Sequence, residues 1–301
     1  MKKTAWLEMF PHEFHNKMKE APICYMVYGL AEPHGVYNAL GLDLIECEMV
    51  IKDAATTYGG IVAPSFSWHI QEQQYYDWEI DYCGMGMSMS SSIPEELFLH
   101  NMIHHIRNFD SKGFKAAILV SGHFLCDLTA DMTMLAEFYI RRTGSPMLIS
   151  TGTYDRFYTT GSFDDHAGLT ETALLMHYRP DLVDLSLLNK PLVVPKSIAG
   201  GNDNFDPYCA PKGFGKGALP TAEMGKKIAE NMVENIGKEK EKLLKAYVEK
   251  PSYRAPSILD TEDIWCRFIK LAGRYLSITA TRNEAENSTF PVFPGWNELG
   301  E

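Results

Sequence analysis

Ile23-Cys24-Tyr25-Met26-Val27-Tyr28-Gly29-Leu30 is a short, almost wholly apolar run that follows Pro22 and leads into Ala31-Glu32-Pro33-His34-Gly35. A run of this length with Ile, Tyr and Val reads as a buried strand, and the polar residues after it read as the loop at its carboxyl end. The next segment, Leu42 to about Thr57, carries apolar residues at Ile45, Met49 and Ala54 and stops at Gly59-Gly60, which predicts a helix. Gly60 to Phe66 reads as a second strand.

The same alternation continues along the chain. Pro94, Glu95 and Glu96 open a helix whose apolar stripe is Phe98, Met102, Ile106 and Phe109. Ala116 to Val120 is a continuous apolar strand ending at Ser121-Gly122-His123. A helix from about Asp127 to Arg142, a strand at Met147 to Ser150, a helix from His166 to Tyr178 and a short strand at Leu182 to Leu187 follow. Strands alternating with helices predict an α/β fold, a three-layer αβα sandwich around a mainly parallel sheet. Beyond Lys190, Gly200 to Gly217 is a Gly-, Asn-, Asp- and Pro-rich loop, then come a long helix from about Thr221 to Lys250 and a shorter one around Thr261 to Ala272. The expected organisation is a single domain over residues 1–301, with a core at about 20–250 and a C-terminal extension at 251–301.

Composition narrows the function classes. The 301 residues carry 39 acidic and 28 basic side chains, a net charge of −11, which argues against a nucleic-acid or anionic membrane surface. No apolar run approaches the about 20 residues of a membrane helix. Met1-Lys2-Lys3 has no apolar stretch behind it, so no signal peptide is read there. Cys24, Cys47, Cys83, Cys126, Cys209 and Cys266 are scattered and form no C-x-x-C pair, the pattern of reduced thiols in a cytoplasmic protein.

Ligands of open α/β sheets bind beyond the carboxyl ends of the strands. Glu32 and His34 follow the first strand, His123 follows the strand at Ala116 to Val120, and Asp164-Asp165-His166 follow the strand at Met147 to Ser150. The short Gly35 to Gly41 loop returns Asp43 to the first group. Carboxylates and imidazoles together are the donor set for Zn, Mn or Fe ions. Singly, Asp43 could equally be a helix cap and His34 or His123 a hydrogen-bonded loop histidine. Ser67 to Ser92, dense in Trp, Tyr and His, reads as a long loop or lid of the kind that is often functional.

Glu32-x-His34-Gly35 with Asp43 resembles the E-x-H-G…D motif of the creatininase (creatinine amidohydrolase) family. Ser121-Gly122-His123 resembles its N-G-H strand end, and His166-Ala167-Gly168-x-x-Glu171-Thr172 its H-A-G-x-x-E-T segment. Gly217-Ala218-x-Pro220-Thr221-Ala222-Glu223-x-Gly225 resembles the later segment that opens a helix. The likeness spans roughly Pro22 to Ile236. It implies a homo-oligomer, a hexamer in the family, and two divalent ions. Glu32 and His123 would hold one, His34 the other, with Asp43 between them. A bridging hydroxide would attack the C–N bond of a small amide or cyclic amide. The same resemblance makes His166 the candidate acid and Glu171 a second-site ligand or base. Trp68, His69, Phe124 and Asp165 are the candidate substrate contacts.

The chain also departs from that family. The metal-binding Glu two residues after the N-G-H histidine is Leu125 here, the run continues Phe124-Leu125-Cys126, and no F-P-G-T turn follows the second strand. These changes argue against creatinine as substrate. They leave open a metal-dependent isomerase or lyase on a carbohydrate-like substrate, which aromatic residues between Ser67 and Ser92 could stack on, and a non-catalytic relative.

Overall fold

The computed structural model describes residues 3–32, 34, 37–70, 91, 93–124, 128–161, 166–187 and 219–272. Four strands, β1 (Ile23–Tyr28), β2 (Ile61–Val62), β3 (Ala116–Ser121) and β4 (Leu148–Thr153), pair in parallel in the order β2-β1-β3-β4. Every residue of β1 and β3 is buried. Such continuous apolar runs suit strands covered on both faces, as in a parallel sheet flanked by helices.

The described helices are α1 (Pro11–Glu20), α2 (Leu42–Tyr58), α3 (Glu95–Ser111), α4 (Leu128–Thr143), α5 (Leu169–Tyr178), α6 (Ala222–Ala246) and α7 (Ile258–Ala272). Alternate strand residues divide them into two layers. Cys24, Met26, Tyr28, Ala117 and Leu119 meet α3, α4 and α7 through Phe98, Met102, Ile106, Leu135, Tyr139 and Phe268. Ile23, Tyr25, Val27, Ile118 and Val120 meet α2, α5 and α6 through Val50, Ile51, Ala54, Leu174, Met232 and Ile236. The sheet is thus the middle of an αβα sandwich. Each such large side chain, fully buried, contributes about 1.5–3 kcal/mol.

The connections set where a site can form. From β1 the chain passes through α2 to β2 on one side; from β3 it passes through α4 to β4 on the other. Reversal of direction puts α2 and α4 on opposite faces, as a constant crossover hand requires. The carboxyl ends of the adjacent strands β1 and β3 therefore lie at the switch point of the sheet, where ligands bind in such folds.

Some segments differ from the sequence reading. Leu182 to Leu187 is not a strand: it is two 3₁₀ turns, Pro180–Leu182 and Leu185–Leu187, with one antiparallel bridge between Val183 and Asn38. Its alternating leucines pack beside Tyr37 and Ala167 instead of joining the sheet. The expected strand Gly60 to Phe66 is a ladder only at Ile61–Val62; Pro64 has no N–H to give, and Phe66 rejoins through one bridge to Tyr28. The helix expected from His166 starts at Leu169, because Ala167 takes a positive φ of 54°. On α2 the buried face carries Asp43, Cys47, Val50 and Ile51, while Ile45 and Met49 are half-buried. Helix α1 was not anticipated. Pro11 opens it, Glu13 accepts the Phe10 N–H at 2.8 Å, and Phe14 packs edge-on to Phe114. Helix α7 begins at Ile258, where Ser257 and Asp260 cap each other. Gly200 to Gly217 and the last 25 residues lie outside the described residues. Among the described residues no helix is long and apolar enough to cross a membrane.

Candidate metal centre

Three elements bring the polar residues of the switch point together. The loop after β1 carries Glu32 and His34. The first turn of α2 carries Asp43, and the bend just after β3 carries His123. The backbones fit closely: Gly122 packs against the first turn of α2 with no room for a side chain, which holds His123 against Asp43. Glu32, His34, Asp43, His123 and Glu171 are all buried.

Asp43 sits at the middle. His34 Nε2 lies 2.8 Å from its Oδ1, and His123 Nδ1 lies 3.1 Å from its Oδ2. Glu32 Oε1 is 2.9 Å from His123 Nδ1 and 3.9 Å from His34 Nε2. Two groups of three donors therefore share Asp43: Glu32–Asp43–His123 and His34–Asp43–Glu171, each with ligand atoms within 4.8 Å of one another. Glu171, at the start of α5, also accepts the Ala167 N–H on Oε2 at 2.6 Å. His166 stands at the rim. Its Nδ1 is 3.9 Å from Glu32 Oε1, its ring stacks on His34 at 4.4 Å, and its side chain is 39% exposed.

The electrostatics follow from burying carboxylates beside imidazoles. Burial alone would push the His34 imidazolium down, but Asp43, Glu171 and Glu32 outweigh it and raise its pKa to about 10. Burial likewise opposes charge on His123, and Glu32 and Asp43 again hold its pKa up. Burial raises the Asp43 carboxyl, yet His34 and His123 keep it well below the usual carboxylate range; Glu32 is lowered in the same way by His123. The pocket thus calls for positive charge, from imidazole protons or from a cation.

A divalent ion fits these residues. His34 Nδ1 donates to the Glu32 carbonyl at 3.1 Å, which leaves Nε2 facing Asp43, where it carries a proton in the imidazolium or binds an ion once that proton is displaced. The 2.8 Å approach of Nε2 to Asp43 Oδ1 therefore needs positive charge between the two atoms, a proton or a metal cation. His34 Nε2 and Glu32 Oε1 are buried and make no hydrogen bond of acceptable angle despite these short approaches. Donor spacings of about 3 Å are those of adjacent ligands on one ion bonded at about 2 Å. All ion pairs of Glu32 and Asp43 among the described residues are with histidines.

The sequence model of the creatininase (creatinine amidohydrolase) family matches residues 8–239. This chain belongs to the creatininase family. Solved structures agree in fold. A creatinine amidohydrolase (creatininase) aligns at TM-score 0.60 and 20% identity, covering 79% of this chain and 97% of that one. A creatininase described as a manganese form gives TM-score 0.61 at 20% identity with the same coverage. A zinc–zinc form of a creatininase variant gives 0.58 at 21%, again covering 79% and 97%. No curated protein sequence matches the chain.

The remaining candidates of this creatininase-family chain fall in different places. His69, expected to face a substrate, is fully buried. Its Nδ1 donates to the Ile70 carbonyl and its Nε2 lies at hydrogen-bond distance from Ser121 Oγ, each at 3.0 Å, and its ring lies 4.3 Å from Phe98 and 5.3 Å from His123. Burial, with His123 nearby, lowers its pKa to about 3. A neutral ring with both nitrogens engaged supports the His123 strand end and has no surface for a ligand. Trp68 and Phe124 are exposed, each next in sequence to a residue of this cluster. Asp165, Leu125 and most of Ser67 to Ser92 lie outside the described residues. The ends of that last segment are tied to the centre: His69 N–H donates to the Ser91 carbonyl, and Ser91 N–H to the Ala31 carbonyl beside Glu32.

Two supporting residues escaped the sequence reading. Tyr37 Oη donates to the Ala167 carbonyl at 2.6 Å and so braces the turn that carries His166. Ser121 Oγ joins His69 to the strand end of His123. Ser121 opens the Ser121-Gly122-His123 strand end, whereas nothing in the local sequence marks Tyr37.

Proposed function

We propose that this chain is a metal-dependent hydrolase cleaving a C–N bond, amide or cyclic amide, in a small molecule. The observation that carries the reading is the position of Asp43 between two nitrogen donors, Oδ1 toward His34 and Oδ2 toward His123. Family membership and the manganese and zinc forms of similar structures support it. On this reading Glu32 and His123 hold one divalent ion of the zinc, manganese or iron class, His34 and Glu171 hold a second, and Asp43 is common to both. Glu171 stands in for the carboxylate that Leu125 lacks. When bound, such a pair of ions supplies a nucleophilic water near neutral pH and polarises the scissile carbonyl.

The chain's own residues do the rest. An amide nitrogen leaves poorly unless it is protonated, and His166 is the rim imidazole with surface open to a substrate. Tyr37 and Glu171 fix its turn through the carbonyl and the N–H of Ala167. Trp68 and Phe124 offer the exposed aromatic surface for the substrate body.

The test is a panel of small linear and cyclic amides, creatinine included, offered to the metal-free and metal-reconstituted full chain. The expected product carries one added water and forms only in the reconstituted protein. A product isomeric with its substrate would overturn hydrolysis.

A further inference from the structure

Among the described residues a second group of imidazoles and a carboxylate stands apart from the first centre and shares no residue with it. His100 and His104 are four residues apart on α3, so their rings leave the same helix face. Glu262 on α7 meets both. Its Oε2 lies 3.0 Å and its Oε1 3.1 Å from His100 Nε2, and Oε1 lies 2.6 Å from His104 Nε2. The His100 ring lies flat on the Trp265 indole, with centroids 4.7 Å apart and planes 5° from parallel, which fixes the direction of Nε2. All three side chains are half-buried, so an ion can enter from solvent.

We infer that His100, His104 and Glu262 form a separate site for one zinc-type divalent ion, which clasps α7 onto α3. Two imidazole nitrogens and a carboxylate are a complete protein ligand set for zinc, with one position left for water. A half-exposed histidine–carboxylate pair by itself contributes little to stability. The same three groups around an ion would fasten two helices. The fastening has a use, because α7 lies beyond residues 8–239, the span shared with the family, and is otherwise held by its apolar face, with Trp265, Phe268 and Ile269. Its partner α3 carries Phe98, which packs on His69 beside the first centre.

The experiment uses the full chain stripped of metal and zinc chloride as the probe. Zinc equivalents are counted against a chromophoric chelator for the wild type, Glu262→Gln and His104→Gln. Each variant should bind one equivalent fewer than the wild type, with the other equivalents unchanged. Equal counts in all three proteins would overturn the inference. In the unaltered chain, hydrogen exchange read by peptide provides the second measurement. Free zinc at about ten times Kd should slow exchange of the 258–272 amides roughly tenfold. Exchange there that ignores zinc would equally overturn it.

Discussion

A β-carbon on Gly122 would lie 1.9 Å from the Asp43 carbonyl oxygen and 3.1 Å from Cys47 Cβ. The end of β3 and the first turn of α2 are therefore in backbone contact, and that contact sets the 3.1 Å approach of His123 to Asp43. Gly122→Ala must drive the two elements apart. It should cost about 2–3 kcal/mol of stability in urea denaturation and lower the metal content of the purified protein. A variant equal to the wild type in both would break the link between packing and site.

Metal binding should expel protons. In the metal-free chain the neighbouring carboxylates raise the pKa of His34 to about 10 and raise that of His123 as well, so both imidazoles hold their protons more tightly than a free histidine. An ion needs their lone pairs, so its affinity should climb as pH rises toward 10. Stability of the metal-free chain should run the other way. The His34 imidazolium contributes fully below its unfolded pKa of about 6.5 and loses that contribution as pH rises toward 10, and His123, also raised, acts in the same direction. Titration calorimetry in buffers of different ionisation enthalpy counts the released protons; a pH-independent affinity between pH 6 and 8 contradicts the account.

Glu171 belongs to only one of the two donor groups that share Asp43. Glu171→Gln should therefore lower occupancy of one ion and spare its neighbour, as read by elemental analysis of the purified variant. Unchanged stoichiometry would remove Glu171 from the ligand set.

His166→Ala separates proton transfer from metal binding. The variant should fold, keep its metal and turn over about 10²–10⁴-fold more slowly, with less loss on substrates whose leaving group needs no proton. If metal is lost instead, His166 acts as a ligand beside Glu32 and His34.

The sheet was readable because β1 and β3 are buried on both faces, so their sequences are unbroken apolar runs. The α3 stripe was readable because Phe98, Met102, Ile106 and Phe109 all face one core. The meeting of Glu32, His34, Asp43 and His123 could be anticipated because strand ends of a parallel sheet share an edge. Leu182 to Leu187 misled because its period of two is a strand pattern, and only the tertiary setting shows that it packs on Tyr37 and Ala167. His69 misled for a related reason, since a histidine in an aromatic segment looks the same whether it faces solvent or Phe98. The His100–His104–Glu262 group was not legible at all: the carboxylate lies 158 residues from His104, and no local pattern joins them.

Anomalous diffraction at the metal absorption edge, from crystals of the chain loaded with manganese or zinc, bears most directly on the central claim. The account predicts two peaks flanking Asp43, one about 2 Å from Oδ1 beside His34 and Glu171, the other about 2 Å from Oδ2 beside His123 and Glu32. No peak within coordination distance of Asp43, in protein that is folded and saturated with metal, would contradict it.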